Sequence, residues 1–178
     1  MPRRKVESAA SGAAGIATGA LEIDLQLSGR ISIAPLRPAR LRKIVSTTLD
    51  MATRADKCKQ RLNMLTLRFV IREEARQLNT AYRASDYAPN VLTFAYPDMS
   101  AADIVICPPV VREQANTQQK RYADHLSHMV VHGVLHALGY THERPTNAAR
   151  MERLEKTILA KFKIGDPYIL GDSARLAG

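Results

Sequence analysis

Apolar positions recur in alternating runs early in the chain and at helical spacing later. Leu21, Ile23, Leu25 and Leu27 alternate with Glu22, Asp24 and Gln26, the period of a half-buried strand, and Ser28-Gly29 closes it. Pro35 and Pro38 precede a helix with Leu41, Ile44, Val45 and Leu49 on one face and Arg40, Arg42 and Lys43 on the other. A charged loop over 56–60 leads to a second strand, Met64 to Ile71. A short helix follows from Glu73 to Tyr82, with Ala75, Leu78 and Tyr82 along one side. Val91 to Tyr96 and Asp103 to Cys107 read as two more strands, and Pro97-Asp98-Met99-Ser100 between them as a hairpin turn. Pro108-Pro109 opens a helix through Val110, Val111 and Ala115, and a long helix runs from about Lys120 to Leu138. Thr146 is the expected N-cap of a last helix whose apolar face is Met151, Leu154, Ile158 and Phe162, with Gly165 as its stop. This order predicts an α+β fold: a small mixed sheet of about four strands with about five helices, mixed because some connections are helical and one is a tight turn.

The chain has 178 residues, no internal repeat and no second boundary, which predicts one domain over 21–170. Residues 1–20, rich in Ala, Gly and Ser, read as a disordered tail, and 171–178 as a short C-terminal tail. No apolar run approaches the roughly 18 residues that span a bilayer, and Gly15, Thr18 and Gly19 interrupt any signal-peptide core. A cytoplasmic protein is expected, with Cys58 and Cys107 as free thiols.

Charge adds a candidate partner. The net charge is +9. Residues 30–72 hold eleven lysines and arginines against Asp50 and Asp56, whereas the remainder carries fifteen charges of each sign. A basic block of this kind suits a nucleic-acid backbone, a solubilising face or an anionic membrane.

The chemistry is concentrated in the histidines, all five of which lie between His125 and His142. His132, His136 and His142 stand at offsets of 0, +4 and +10. Residues i and i+4 share a helix face, so two imidazoles can reach one metal, and a left-handed turn at Gly139 can bring back the third. Three protein ligands with a fourth position open describe a catalytic zinc. In the zinc-peptidase motif a glutamate base follows the first histidine. Here that residue is Gly133, so the metal frame is kept without the peptidase base, and hydrolysis of something other than a peptide is expected. His125 and His128 read as structural residues or outer partners of the ligands. Glu143 reads as a solvated loop charge, a fourth ligand or base being the alternative.

With these residues in view, the chain resembles the bacterial YbeY family of metal-dependent endoribonucleases of ribosomal-RNA maturation. His132 to His142 fits the family pattern His-Gly-x-Leu-His-x-x-Gly-Tyr-Asp-His. Leu78-Asn79-Thr80-Ala81-Tyr82-Arg83-Ala84-Ser85-Asp86, then Asn90-Val91-Leu92-Thr93-Phe94, resembles a second family segment, and Asp103-Ile104-Val105-Ile106 a third. The resemblance covers roughly residues 20 to 170. Four positions depart from it: Thr141 replaces an aspartate, Ala84 and Ala102 replace glycines, and Pro89 replaces a threonine. The loss at Thr141 removes a carboxylate from beside the metal.

The resemblance implies a zinc-dependent, single-strand-preferring endoribonuclease with one zinc per chain on His132, His136 and His142. It implies action in 16S rRNA 3′-end maturation and ribosome quality control, with ribosomal RNA, the small ribosomal subunit and the assembly GTPase Era as partners. It also marks Arg83 as catalytic, because a guanidinium fits phosphate oxygens and keeps its charge. The plainer role for Arg83 is a helix-end cation neutralising Asp86 or exposed carbonyls. Gly133 is expected to leave room beside the metal helix. Two rival readings stand: a different zinc hydrolase, and a ribosome-assembly factor with a structural metal and little nuclease activity.

Overall fold

The structure, a computed structural model, describes residues 21–56 and 61–169. The two expected tails and the loop segment containing Cys58 lie outside the described residues.

Four strands form one sheet: β1 (Glu22–Leu27), β2 (Met64–Phe69), β3 (Val91–Tyr96) and β4 (Ala101–Ile106). Their order is β1-β2-β4-β3, with β1, β2 and β4 parallel and β3 antiparallel to β4. The expected β3–β4 hairpin is present, its turn a single 3-10 element over Pro97–Met99. Five helices accompany the sheet: α1 (Pro38–Asp56), α2 (Arg72–Arg83), α3 (Pro108–Thr117), α4 (Tyr122–Ala137) and α5 (Pro145–Lys161). The α+β architecture read from the hydrophobic pattern is therefore the one observed.

Strand alternation divides the sheet into two faces. Leu65, Leu67 and Phe69 of β2, with Ala102, Ile104 and Ile106 of β4, point into the main core. They pack there with Leu41, Ile44 and Val45 of α1, Val130 and Val134 of α4, and Ile158 and Leu159 of α5. The opposite face is only partly covered: Val70, Ala75, Leu92, Val105, Cys107 and Val110 form a smaller cluster beside α2. α4 is buried on nearly all sides, because α1, α3, α5 and the sheet surround it. Histidines on such a helix are held in fixed places by packing.

Several element ends differ from the sequence reading; β4, for one, spans Ala101–Ile106 rather than Asp103 to Cys107. β2 stops at Phe69, and Ile71 caps α2. α5 begins with Pro145, and Arg144 rather than Thr146 is its N-cap; no side chain caps it, and proline at the first turn has no N–H to satisfy. α5 is ended by Lys163 in a left-handed conformation (φ 59°), not by Gly165. The N–H groups of Ile164 and Lys163 bond back to the carbonyls of Leu159 (3.1 Å) and Ala160 (3.0 Å), closing the helix two residues before the glycine. No helix among the described residues is long and apolar enough to cross a membrane.

Candidate metal centre

One helical turn on α4 stacks His132 over His136, with ring centroids 4.5 Å apart and their Nε2 atoms facing each other at 3.0 Å. The helix then ends as the glycine predicts. Gly139 takes φ 86°, the Tyr140 N–H bonds to the Leu135 carbonyl at 3.0 Å, and the Gly139 N–H to the His136 carbonyl at 2.9 Å. Tyr140 is buried, which anchors the turn and returns the chain toward the helix. His142 arrives with its ring centroid 4.9 Å from that of His136 and 5.8 Å from that of His132. One ring nitrogen from each histidine lies within 4.8 Å of the others.

The electrostatics of these rings suit a cation. Burial, then the neighbouring His132 and His142, push the His136 imidazole down to about 4, against a smaller opposing effect from its hydrogen bond to the Tyr140 backbone. Its ring is therefore neutral near pH 7 and keeps a lone pair to offer. His132 donates its Nδ1–H to Glu155 Oε1 at 2.9 Å, which leaves its Nε2 facing His136. Converging imidazole nitrogens fit a borderline metal such as zinc, and also nickel, copper or iron.

Glu155 is the functional residue that the sequence reading missed. It is fully buried on α5 and accepts hydrogen bonds from His132, from His128 Nε2 at 3.0 Å and from the Tyr168 hydroxyl. Burial alone raises a carboxyl's pKa; the hydrogen bonds from His128 and His132 outweigh it and bring this one down to about 2. A signal was present: Glu155 falls four residues after Met151 and three before Ile158, on the face that the apolar pattern buries. His128 thus shares the carboxylate with His132. His125 lies a turn further back, near Gln114 Oε1 (3.3 Å), and burial lowers its pKa to about 4.

Arg83 reaches the same place from the last turn of α2. It lines a cleft of about 910 Å³ with His132, His136 and His142, along the free edge of β3. Ala84, just beyond it, takes φ 52°, and the Asn79 side chain donates to the carbonyls of Ser85 and Tyr87, both at 3.0 Å. Asp86 is bound by Arg76, so the pairing with Asp86 considered for Arg83 is already filled, and Arg83 has no ion pair among the described residues. Thr141 and the exposed Glu143 also line the cleft.

One expectation changes. A Cβ on Gly133 would lie 2.7 Å from Ile104 Cγ2 and 3.4 Å from Thr93 Oγ1. The glycine therefore serves close packing of α4 on the sheet, and the room expected beside the helix is filled by β4. The basic block stands outside the cleft: among its described residues, 30–56 and 61–72, none lines it. Within it, Arg54, Arg68 and Arg72 are paired with Asp50, Glu74 and Glu113.

The family model described as Endoribonuclease YbeY matches residues 29–163. The Endoribonuclease YbeY of Idiomarina loihiensis is 42% identical over 162 residues, 88% of this chain and 96% of that one. That of Ralstonia nicotianae is 39% identical over 171 residues, 94% and 88% of the two chains. The solution structure of TM1509 from Thermotoga maritima shares the fold with a TM-score of 0.53 at 22% identity, over 79% of this chain and 91% of that one.

Proposed function

Because the chain belongs to the Endoribonuclease YbeY family, we propose that it is a zinc-dependent endoribonuclease that prefers single strands and matures the 3′ end of 16S rRNA in ribosome quality control. The observation that carries this reading is the meeting, in one cleft, of three convergent imidazoles and an arginine with no ion pair among the described residues. His132, His136 and His142 would hold one zinc per chain. When bound, the metal supplies Lewis acidity and makes water a competent nucleophile near neutral pH.

The chain's own groups do the remaining work. Arg83 grips the scissile phosphate through paired N–H donors and stabilises the charge that its oxygens gain as the bond breaks. Glu155 fixes the ring orientation of His132 from behind and keeps the proton on Nδ1. Gly133 presses α4 against β4, and so sets the depth of the histidines below the edge of β3. Ribosomal RNA on the small subunit is the substrate in this reading, with the GTPase Era as an assembly partner and the cytoplasm as the compartment. The basic block meets RNA outside the cleft, and binding there weakens steeply with salt.

The test is cleavage of labelled RNA covering the precursor 3′ end of small-subunit rRNA by wild type, His136→Ala and Arg83→Ala, with metal content measured on each sample. The proposal expects cleavage that is lost together with the metal in His136→Ala and reduced in Arg83→Ala with the metal retained. Equal cleavage by all three would assign it to a contaminant. No cleavage by a wild type holding one metal per chain would favour the assembly-factor reading.

A further inference from the structure

The partly covered face of the sheet holds a second groove, of about 680 Å³, that the cleft chemistry does not use. Its floor comes from Thr66 of β2, Asp103 of β4 and Phe94 of β3, which are register partners across the sheet, with Arg68 and Tyr96 beside them. Tyr82 of α2 forms its wall. Arg83 and Ala95 line both this groove and the metal cleft, so the two are continuous around the edge of β3.

The rings in this groove are exposed and also fixed. Tyr82 is 66% exposed although the helical pattern places it with Ala75 and Leu78, and Tyr96 is 40% exposed. The Tyr82 ring stands edge-on to Phe94 at 5.1 Å between centroids, and the Tyr96 hydroxyl donates to Asp103 Oδ2 at 3.2 Å. Rings held this way lose little entropy when a flat partner stacks on them. Charge sets the direction of a bound strand. Arg83 carries a charge with no ion-pair partner among the described residues, and Arg68 is neutralised by Glu74. Glu22 and Asp24 on β1 are acidic and repel phosphate at the far side.

We propose that this groove is a base-stacking platform for single-stranded RNA, with successive bases on Tyr82 and Tyr96 while the backbone passes Arg83 into the metal cleft. Aromatic side chains on the open face of a four-stranded sheet stack two or three bases in known RNA-binding modules, so the chemistry has a physical precedent. Stacking tolerates sequence, because every base offers a π face. The hydroxyl of Thr66 and the amide of Gln26 supply hydrogen bonds to base edges. The platform depends on the ribonuclease reading only for the identity of its ligand.

The test is binding of end-labelled oligouridine of about 4 and about 16 nucleotides to the full chain, lengths that bracket the short and long ends of such sites. Wild type is compared with the paired Tyr82→Ala/Tyr96→Ala and Tyr82→Phe/Tyr96→Phe variants, and photo-crosslinked peptides are mapped. Wild type should prefer the longer RNA. The alanine pair should lose that preference by about ten- to a hundredfold, the phenylalanine pair should keep it, and crosslinks should fall on Tyr82 or Tyr96. If the alanine pair fails to fold, leucine at both positions fills the space without a π face. A length preference that survives loss of both rings overturns the platform, as does a crosslink map without them; either result would point to a protein partner for the groove. Cleavage that depends on His136 but is indifferent to the two tyrosines would leave the ribonuclease standing without the platform. Tyrosine-dependent binding without cleavage would do the reverse.

Discussion

Arg76 holds Asp86 through two contacts, Nε to Oδ1 at 2.6 Å and Nη2 to Oδ2 at 3.0 Å, and thereby leaves Arg83 unclaimed at the end of the same helix. The pair raises the pKa of Arg76 and lowers that of Asp86, the hydrogen bond between them being the largest cause in each. Arg83 is exposed, so Arg83→Ala should change folding stability by no more than about 0.5 kcal/mol. The same change should slow single-turnover RNA cleavage by about a hundred- to a thousandfold, the usual effect of removing one donor to a developing oxyanion. Urea denaturation and single-turnover rates measured on one preparation check both halves. A large loss of stability with unchanged cleavage would return Arg83 to a structural role.

Glu155 should couple stability to metal affinity. Glu155→Gln leaves one side-chain oxygen where two hydrogen bonds from histidines and one from Tyr168 now end. Replacing a buried charge in such a network costs about 2–4 kcal/mol of stability. Because His132 would lose the group that fixes its tautomer, zinc affinity should fall by about ten- to a hundredfold. Tyr168→Phe removes one donor only and should cost about 1–2 kcal/mol. Chelator competition measures the first effect and urea midpoints the second. Unchanged zinc affinity in Glu155→Gln would limit the carboxylate to packing.

Much of this was legible in the sequence because it rests on local rules. The period of two in Leu21–Leu27, the proline at the start of α1 and the turn over Pro97–Ser100 each act within a few residues, and each reads correctly. The histidine triad is legible for the same reason, since the i, i+4 spacing and Gly139 place all three rings without distant help. The spacing from Met151 and Ile158 puts Glu155 on the buried face, but its role was hidden because the histidines it binds are 23 and 27 residues away. Gly133 was misread for a similar reason: the atoms that forbid a side chain there belong to Ile104 on a strand formed far earlier in the chain. Thr146 is a good capping residue by type, but Pro145 before it already supplies the helix start.

Gly133 gives the third prediction. Alanine in place of glycine gains about 1 kcal/mol of helix propensity. It would also set a methyl 2.7 Å from Ile104 Cγ2, and overpacking of that kind costs about 1–3 kcal/mol. The overlap involves an atom bonded directly to Cβ of Ile104, which has little freedom to retreat, so Gly133→Ala should be destabilising overall. The penalty should shrink in an Ile104→Ala background, and a double-mutant cycle by denaturation measures the coupling. Gly133→Glu, which would restore the peptidase sequence, should destabilise further and cleave no peptide in a library digest, because position 133 faces the sheet.

Ala84 is strained for the opposite reason. Its φ of 52° lies in the left-handed region, where a Cβ costs roughly 1–2 kcal/mol and glycine costs nothing sterically. Part of that gain is returned as the greater unfolded-state entropy of glycine. Ala84→Gly should therefore stabilise the fold by up to about 1 kcal/mol, seen as a higher urea midpoint at unchanged slope. A lower midpoint would mean that the turn after Arg83 depends on the alanine methyl.

Alkaline pH should weaken the fold before it affects the surface. Burial pushes the Cys107 thiol above its ordinary 9.0 and the Tyr122 phenol above its ordinary 10.0. Tyr168 is also raised, by burial and then by its hydrogen bond to Glu155. A group whose pKa is higher folded than unfolded binds its proton more tightly in the folded chain. Its contribution is fully present below the unfolded pKa and is lost as pH rises toward the folded one. Urea midpoints should therefore hold steady through neutral pH and fall as pH climbs above roughly 9, the ordinary range in which thiols and then phenols ionise. Cys107→Ala should remove the first part of that decline, and Tyr122→Phe and Tyr168→Phe parts of the remainder. The buried Cys107 should also resist alkylation in the native state at a pH where an exposed thiol reacts, and peptide mapping separates it from Cys58. Alkylation of Cys107 at the rate of a free thiol, with the fold intact, would show that the small cluster beside α2 opens without global unfolding.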